Sequence, residues 1–314
     1  MRIENWAYVT GAPRSGTTFV GKVLSTPLSV DYIHEPFNPD CGMPGVTQRF
    51  LYTRMGCENE PEVRSWVEQL KSYRFRLKTA MYPRDNFRKR LIKRVIGSRG
   101  PFYLRLAKLN PFHKAAVVKD PIGCLLTDYL LSEHGFRGLA LIRHPIGFIA
   151  STRRLGWKFD EMLEVLGRDE ALRRDYFSNG TPLVRAPADD ELAKAAAVWR
   201  ILNHVLMSQA AGNPSLKLLR HEDVSASPAE EFRSIFDHLA IPWTDRVARQ
   251  IATMTADGNR VEAAAGKVQD FYRDSRQIFD QRLRSVDVAD RRRVFEITRD
   301  IAESFYSAET FQLD

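Results

Sequence analysis

The sequence predicts an α/β fold, a parallel sheet of about four to five strands flanked by helices and carrying helical insertions. Short apolar runs such as Ala115–Lys119 and Leu139–Arg143 alternate with helical patterns, and this alternation implies parallel strands joined by crossover helices. The first run, from Trp6, passes through a loop bracketed by Gly11 and Gly16 into a helix that opens on Thr17 and Thr18. A buried strand, a tight loop and a helix N-terminus together make an anion site, because the first turn offers N–H groups and the positive end of the helix dipole.

Composition narrows the class. The chain has 314 residues, of which 44% are apolar, enough for a full core and too many for general disorder. We read it as one domain over 1–314 with a basic helical insertion at about 61–113. The net charge of +8 and pI near 9.4 suit a polyanionic nucleotide, an acidic acceptor, nucleic acid or an anionic membrane surface, and charge alone does not choose among them. Three cysteines, Cys41, Cys57 and Cys124, form no C-x-x-C pair, so we expect a reducing, cytoplasmic setting and no disulfide framework. No secretory leader is visible and no run reaches the roughly 18 apolar residues of a membrane span.

Taken in order, Phe19, Val20, Val23 and Leu24 give the first helix its apolar face, and Pro27 ends it. A second strand, Ser29–His34, runs into Glu35-Pro36-Phe37, where Pro36 keeps Glu35 out of a helix. Val63, Trp66, Val67, Leu70 and Tyr73 mark a helix in the insertion, followed by a basic stretch from Arg88 to Arg94. A solvated cationic face and a lid that draws in an acidic acceptor or cofactor both fit that stretch. The strand Ala115–Lys119 precedes a helix over Ile122–Leu131, and Leu139–Arg143 precedes one from Pro145 to Arg153 with proline in its first turn. Residues 157–187 read as a polar helical excursion. Asp189 to Ala211 is a long helix with a stripe containing Leu192, Ala196, Trp199, Leu202 and Leu206. The strand Leu216–Leu219 ends at Arg220-His221-Glu222-Asp223, and Ser227-Pro228-Ala229-Glu230 has the form of a capping box. A segment around Ala263–Lys267 looks mobile, Ser275–Leu283 a short helix and Ala289–Phe305 the last one.

The first loop matches the Walker spacing G-x-x-x-x-G-K-S/T except that Thr17 stands in place of the lysine. The β- and γ-phosphates of ATP would lose their main side-chain cation there, and Arg14 offers a charge from inside the loop instead. Arg14, Glu35, Lys119, Arg143 and His221 all fall at or just beyond the carboxyl ends of predicted strands, the edge at which open parallel sheets bind ligands. They should share one cleft.

These residues resemble a known family. Ala12-Pro13-Arg14-Ser15-Gly16-Thr17-Thr18 looks like the 5′-phosphosulfate loop of the P-loop-like sulfotransferases that use 3′-phosphoadenosine 5′-phosphosulfate (PAPS). Arg143-His144-Pro145 followed by Ser151 has the R-x-P-x5-S spacing that binds the 3′-phosphate in that family. Glu35-Pro36-Phe37 resembles the E-P-L/F step of carbohydrate sulfotransferases, Lys119-Asp120-Pro121 a K-x-P step, and Arg220-His221-Glu222-Asp223 an R/K-Y-E-D-L turn with His for Tyr. Ser275, Arg276, Phe279 and Leu283 echo an S-x-x-x-W-x-x-x-L pattern with Phe for Trp. The resemblance spans most of the chain and is weakest over 42–113 and 157–187.

It implies PAPS as co-substrate without a metal, and a carbohydrate or other small-molecule hydroxyl as acceptor. By the same resemblance Glu35 is the general base, Arg14 and Lys119 stabilise developing charge, and Ser15, Gly16, Thr17 and Thr18 hold the 5′-phosphate. Arg143 and Ser151 hold the 3′-phosphate, with Lys267 and Arg276 as further contacts to it or to the adenine. Against these roles stand plainer ones: a structural ion pair of Glu35 with Arg14 or Lys119, a structural turn at His221–Asp223, and a core position for Trp199. Strand alternation points His34, an alternative base, away from Glu35. A P-loop kinase and a basic nucleic-acid-binding protein are the competing functions, the first disfavoured by Thr17 and the second by the lack of interleaved aromatics.

Overall fold

In the strand Asn5–Gly11 (β1), Trp6 and Tyr8 belong to one apolar cluster while Ala7 and Val9 belong to another. A strand with apolar residues on both alternating faces is stable only where both faces are covered. The computed structural model describes residues 3–81, 85–177, 189–255, 281 and 283–313, and in it β1 is the central strand of a five-stranded sheet.

The other strands are Val30–His34 (β2), Ala115–Lys119 (β3), Arg137–Ile142 (β4) and Leu216–Arg220 (β5), in the spatial order β2-β3-β1-β4-β5. Every pairing is parallel. The register sets His34, Lys119 and Val9 in one row, and Ile142 opposite Arg220. The chain leaves β1 toward β2 and leaves β4 toward β5, so a crevice opens between the carboxyl ends of β1 and β4.

Thirteen further elements among the described residues are α-helices, here α1 to α13. They are Thr17–Leu24, Glu60–Lys71, Phe87–Ile96, Arg99–Leu109, Thr127–His134, Pro145–Leu155, Asp160–Arg168, Glu170–Tyr176, Glu191–Gly212, His221–Ala226, Pro228–His238, Asp245–Thr255 and Val288–Ala302. One face of the sheet is covered by α1, α11 and α12 through Val23, Leu24, Phe232, Phe236 and Ile251. The other lies under α9 and its neighbours, with Trp199, Leu202, Ile146 and Leu130 in contact. The α4 helix lies along the outer edge at β2, where Tyr103 meets Tyr32 edge to face at 4.9 Å, shielding a strand edge that would otherwise be open.

Local chemistry moves some boundaries from their predicted places. The helix expected from Ile122 begins as a 3₁₀ turn at Cys124–Leu126 and becomes α-helical only at Thr127. Asp120 Oδ1 accepts the N–H groups of Ile122 and Gly123, each at 3.0 Å, and this side-chain turn competes with the first helical turn. Ser227 makes no side-chain cap to α11, so the capping box is not formed. Its N–H instead bonds to Asp223 O at 2.9 Å, which commits its backbone to closing α10. The last helix ends at Ala302 rather than Phe305. The expected segment Ala263–Lys267 lies outside the described residues, as does the expected helix Ser275–Leu283 apart from Gln281 and Leu283.

Candidate functional site

The loop after β1 is held open by its backbone. Gly11, Arg14 and Gly16 have φ of +140°, +73° and +89°. A Cβ on Gly11 would lie 2.2 Å from Leu141 O in β4, so only glycine lets the two strands pair there. Gly16 caps α1 without a side-chain bond, and the first turn of α1 holds no acidic residue. A Cβ on Gly16 would lie 2.5 Å from Nδ1 of His221, so the first residue after β5 covers the loop. Burial lowers the His221 pKa to about 4, and the ring is neutral at pH 7.

Arg14 joins this loop to the start of α6. Its Nε donates to Ser151 Oγ at 3.2 Å, while its carbonyl accepts from Arg143 Nη1 at 2.8 Å. Burial, followed by the charge of Arg154, lowers the Arg14 pKa, as expected where cations are gathered without an equal number of acids. The expected Arg143 and Ser151 pair therefore meets through Arg14. Two buried polar atoms in the cluster have no protein partner, Ser15 Oγ and Arg143 Nε. Buried polar groups are nearly always satisfied in folded proteins, and donors left open just before the N-termini of α1 and α6 fit an anionic ligand.

The neighbouring elements fix Arg143. Trp199 in α9, fully buried as expected of a core residue, donates its indole N–H to Arg143 O at 2.8 Å. His144 caps α6 by accepting the Ile146 N–H on Nδ1 at 3.2 Å. Its Nε2 then carries the proton and faces Thr310 Oγ1 at 3.1 Å. Burial holds its pKa near 3, consistent with this neutral tautomer. The His144 N–H reaches Glu222 Oε1 at 3.1 Å, and the Tyr306 hydroxyl donates to Glu222 Oε2 at 2.8 Å. Arg220 pairs with Asp223. Of the turn after β5, Glu222 and Asp223 thus act in the frame, and His221 faces the loop.

Across the crevice, Glu35 follows β2 with φ +50°. Its N–H extends the ladder to Lys119 O at 2.8 Å. One carboxylate oxygen pairs with Lys119 Nζ and the other accepts from Asn38 Nδ2 at 2.6 Å. The Lys119 side chain is 0% exposed and that of Glu35 is 17% exposed, so the acid is the member of the pair that solvent and ligand can reach. Burial works to raise the Glu35 pKa, but Lys119, His34 and Asn38 outweigh it and hold it at about 2. Asp120, buried beside it, moves the other way, to about 7, through burial and the Glu35 charge. Its Oδ2 accepts the Phe37 N–H at 2.7 Å, which fixes the loop that carries Glu35.

His34 corrects the alternation argument. Because Glu35 leaves the strand in the left-handed region, the His34 ring does not end on the opposite side, and Nε2 lies 3.8 Å from Glu35 Oε1. Burial, then Lys119, push the His34 pKa well below its usual value. The structure also adds Asn38 and Cys41, whose Sγ lies 3.7 Å from Glu35 Oε2. Only their place in the loop after Glu35 was legible beforehand. Lys267 and Arg276 lie outside the described residues. Among the described residues no group of His, Cys, Asp and Glu is arranged to hold a metal ion.

No family model and no curated protein matches the sequence. Solved structures do match. The sulfotransferase domain of the Synechococcus PCC 7002 olefin synthase is similar over 98% of this chain and 97% of its own, at 16% identity and a TM-score of 0.47. The sulfotransferase domain from the curacin biosynthetic pathway is similar over 84% and 82%, at 17% identity and a TM-score of 0.43. For sulfotransferase STF9 of Mycobacterium avium the values are 91% and 78%, 13% identity and 0.41.

Proposed function

We propose that this chain is a sulfotransferase that moves a sulfuryl group from 3′-phosphoadenosine 5′-phosphosulfate to an acceptor hydroxyl on a carbohydrate or other small metabolite. The observation that carries the reading is the pair of buried, unpartnered polar atoms, Ser15 Oγ and Arg143 Nε, on two strand-end junctions bridged by Arg14. Two junctions suit a ligand with two separated anionic groups.

In this reading Ser15, Gly16, Thr17 and Thr18 hold the 5′-phosphate, and Arg143 with Ser151 holds the 3′-phosphate. Lys267 and Arg276 add contacts to the 3′-phosphate or the adenine. The bound co-substrate supplies an activated sulfuryl group; the chain supplies position and proton transfer. Glu35 takes the proton of the acceptor hydroxyl. Its low pKa makes it a weak base while Lys119 is its partner. When the ammonium turns toward developing charge, Glu35 loses that stabilisation and its basicity rises. Arg14 and Lys119 then offset the charge on the transferred group. Neutral His221 over Gly16 adds no charge to compete with these cations. The free cysteines agree with the cytoplasmic location we infer.

Thermal melting tests the reading. At a hundredfold excess over its dissociation constant, 3′-phosphoadenosine 5′-phosphate should stabilise the protein by about 2.7 kcal/mol, seen as a rise of several degrees, and more than ATP with magnesium does. Greater stabilisation by ATP with magnesium would favour a kinase and overturn the proposal.

A further inference from the structure

The net charge is not spread over the chain. Residues 85–114 contain nine Lys or Arg and one Asp, a net +8 that equals the charge of all 314 residues. The same segment holds most of the exposed apolar bulk. Nine large apolar side chains are exposed among the described residues, and six of them lie here: Phe87, Leu91, Phe102, Leu106, Leu109 and Phe112.

The arrangement on α4 is ordered. Gly100, Leu104 and Ala107 are buried against the body, whereas Phe102, Leu106 and Leu109 are exposed by 40%, 50% and 79%. Both sets follow the i, i+4, i+7 spacing, so α4 has two apolar stripes, one packed and one facing solvent. The outward stripe runs beside exposed Arg105 and Lys108. On α3, Phe87 and Leu91 are 81% and 52% exposed, four residues apart and interleaved with exposed Arg88, Arg90 and Arg94. Leu28, 67% exposed, extends the patch, since its carbonyl accepts from Asn110 Nδ2 at 3.0 Å.

We propose that the outward stripe of α4, with the exposed residues of α3 that precede it in the chain, is a docking surface for an anionic lipid bilayer. A bilayer answers both halves of the surface at once, with phosphate groups for the arginines and lysines and hydrocarbon for the apolar stripe. A second copy of this chain would bring two +8 segments together, and like charges oppose that contact. Nucleic acid would satisfy the charge and leave the leucines in water. Docking here lies on the surface; none of the described helices is long and apolar enough to cross a membrane. The packed side of α4 is close to the candidate site, because a Cβ on Gly100 would lie 3.5 Å from the carbonyl of His34, the residue before Glu35; the outward stripe is on the other side of the same helix. The inference stands on charge and exposure and does not depend on the reaction proposed for that site.

Flotation of the full chain with vesicles tests it. The protein should float with vesicles of equal parts phosphatidylcholine and phosphatidylglycerol and stay behind with phosphatidylcholine alone. Arg88→Glu with Arg94→Glu changes four units of charge and should weaken binding by about 600-fold, at roughly fivefold for each unit near the surface. Leu106→Ser with Leu109→Ser should remove the binding that survives high salt. All four positions are exposed, so melting curves of both variants should overlay that of the parent. Failure to float, equal binding to neutral vesicles, or indifference to both variants would overturn the proposal. So would a concentration-dependent dimer that Leu109→Asp dissociates, or equal affinity for a polyglutamate peptide.

Discussion

Glu35 combines a left-handed backbone, a fully buried lysine partner and a carboxyl held near pKa 2. Replacing it with Gln keeps the shape and an oxygen acceptor but leaves the Lys119 ammonium without a counter-charge. Glu35→Gln should retain stabilisation by 3′-phosphoadenosine 5′-phosphate and lose about 10²-fold to 10⁴-fold in turnover. At pH 7 it should also be less stable by about 3 kcal/mol. The sign with pH follows from the depressed pKa. The carboxylate's contribution is complete above its ordinary value of 4.5 and is lost as the pH falls toward about 2. Parent and variant should therefore converge over that window in denaturant titrations. Unchanged turnover would remove Glu35 as the base, and a stability gap independent of pH would remove the ion-pair account. The sequence displayed Glu35 and Lys119 but not their distance, because the register that sets His34 beside Lys119 comes from pairing strands some eighty residues apart.

At the scale of elements, the start of α6 is where three parts of the chain meet. Glu222 after β5 accepts from the His144 N–H, Tyr306 beyond α13 donates to Glu222, and Thr310 faces His144 Nε2. Tyr306→Phe leaves one Glu222 oxygen without its donor. It should cost about 1–2 kcal/mol in denaturant titration and weaken binding of 3′-phosphoadenosine 5′-phosphate severalfold, because Arg143 sits at the same junction. Unaltered affinity would separate this tie from the site. The strands and most helices were legible because period and proline placement are local signals. Asp120 diverting the first turn of α5, and Ser227 spent on closing α10, were not. Each depends on which of two nearby partners a backbone N–H meets in the folded chain. The contribution of residues beyond Ala302 to α6 was equally hidden, since nothing local ties Tyr306 to His144.

For the molecule as a whole, charge was legible and exposure was not. The basic stretch is plain in the sequence, yet Leu104 and Leu106, two residues apart, have opposite fates, 5% and 50% exposed, which the fold alone decides. The Gly11–Gly16 loop carries a different consequence for the molecule. Arg14 holds a left-handed φ of +73° and a guanidinium whose pKa burial depresses, and both are costs borne while no ligand is bound. Arg14→Gly would relieve the backbone strain, worth about 1 kcal/mol after the added chain entropy of glycine, and should raise the melting temperature of the ligand-free protein by about 2 °C while weakening binding of 3′-phosphoadenosine 5′-phosphate. A lower melting temperature would show that the loop is relaxed as it stands. Laboratory evolution of this chain toward heat resistance, run without ligand, would enrich glycine at position 14 if that strain is real, and on the proposed function adding the nucleotide during selection would oppose the drift.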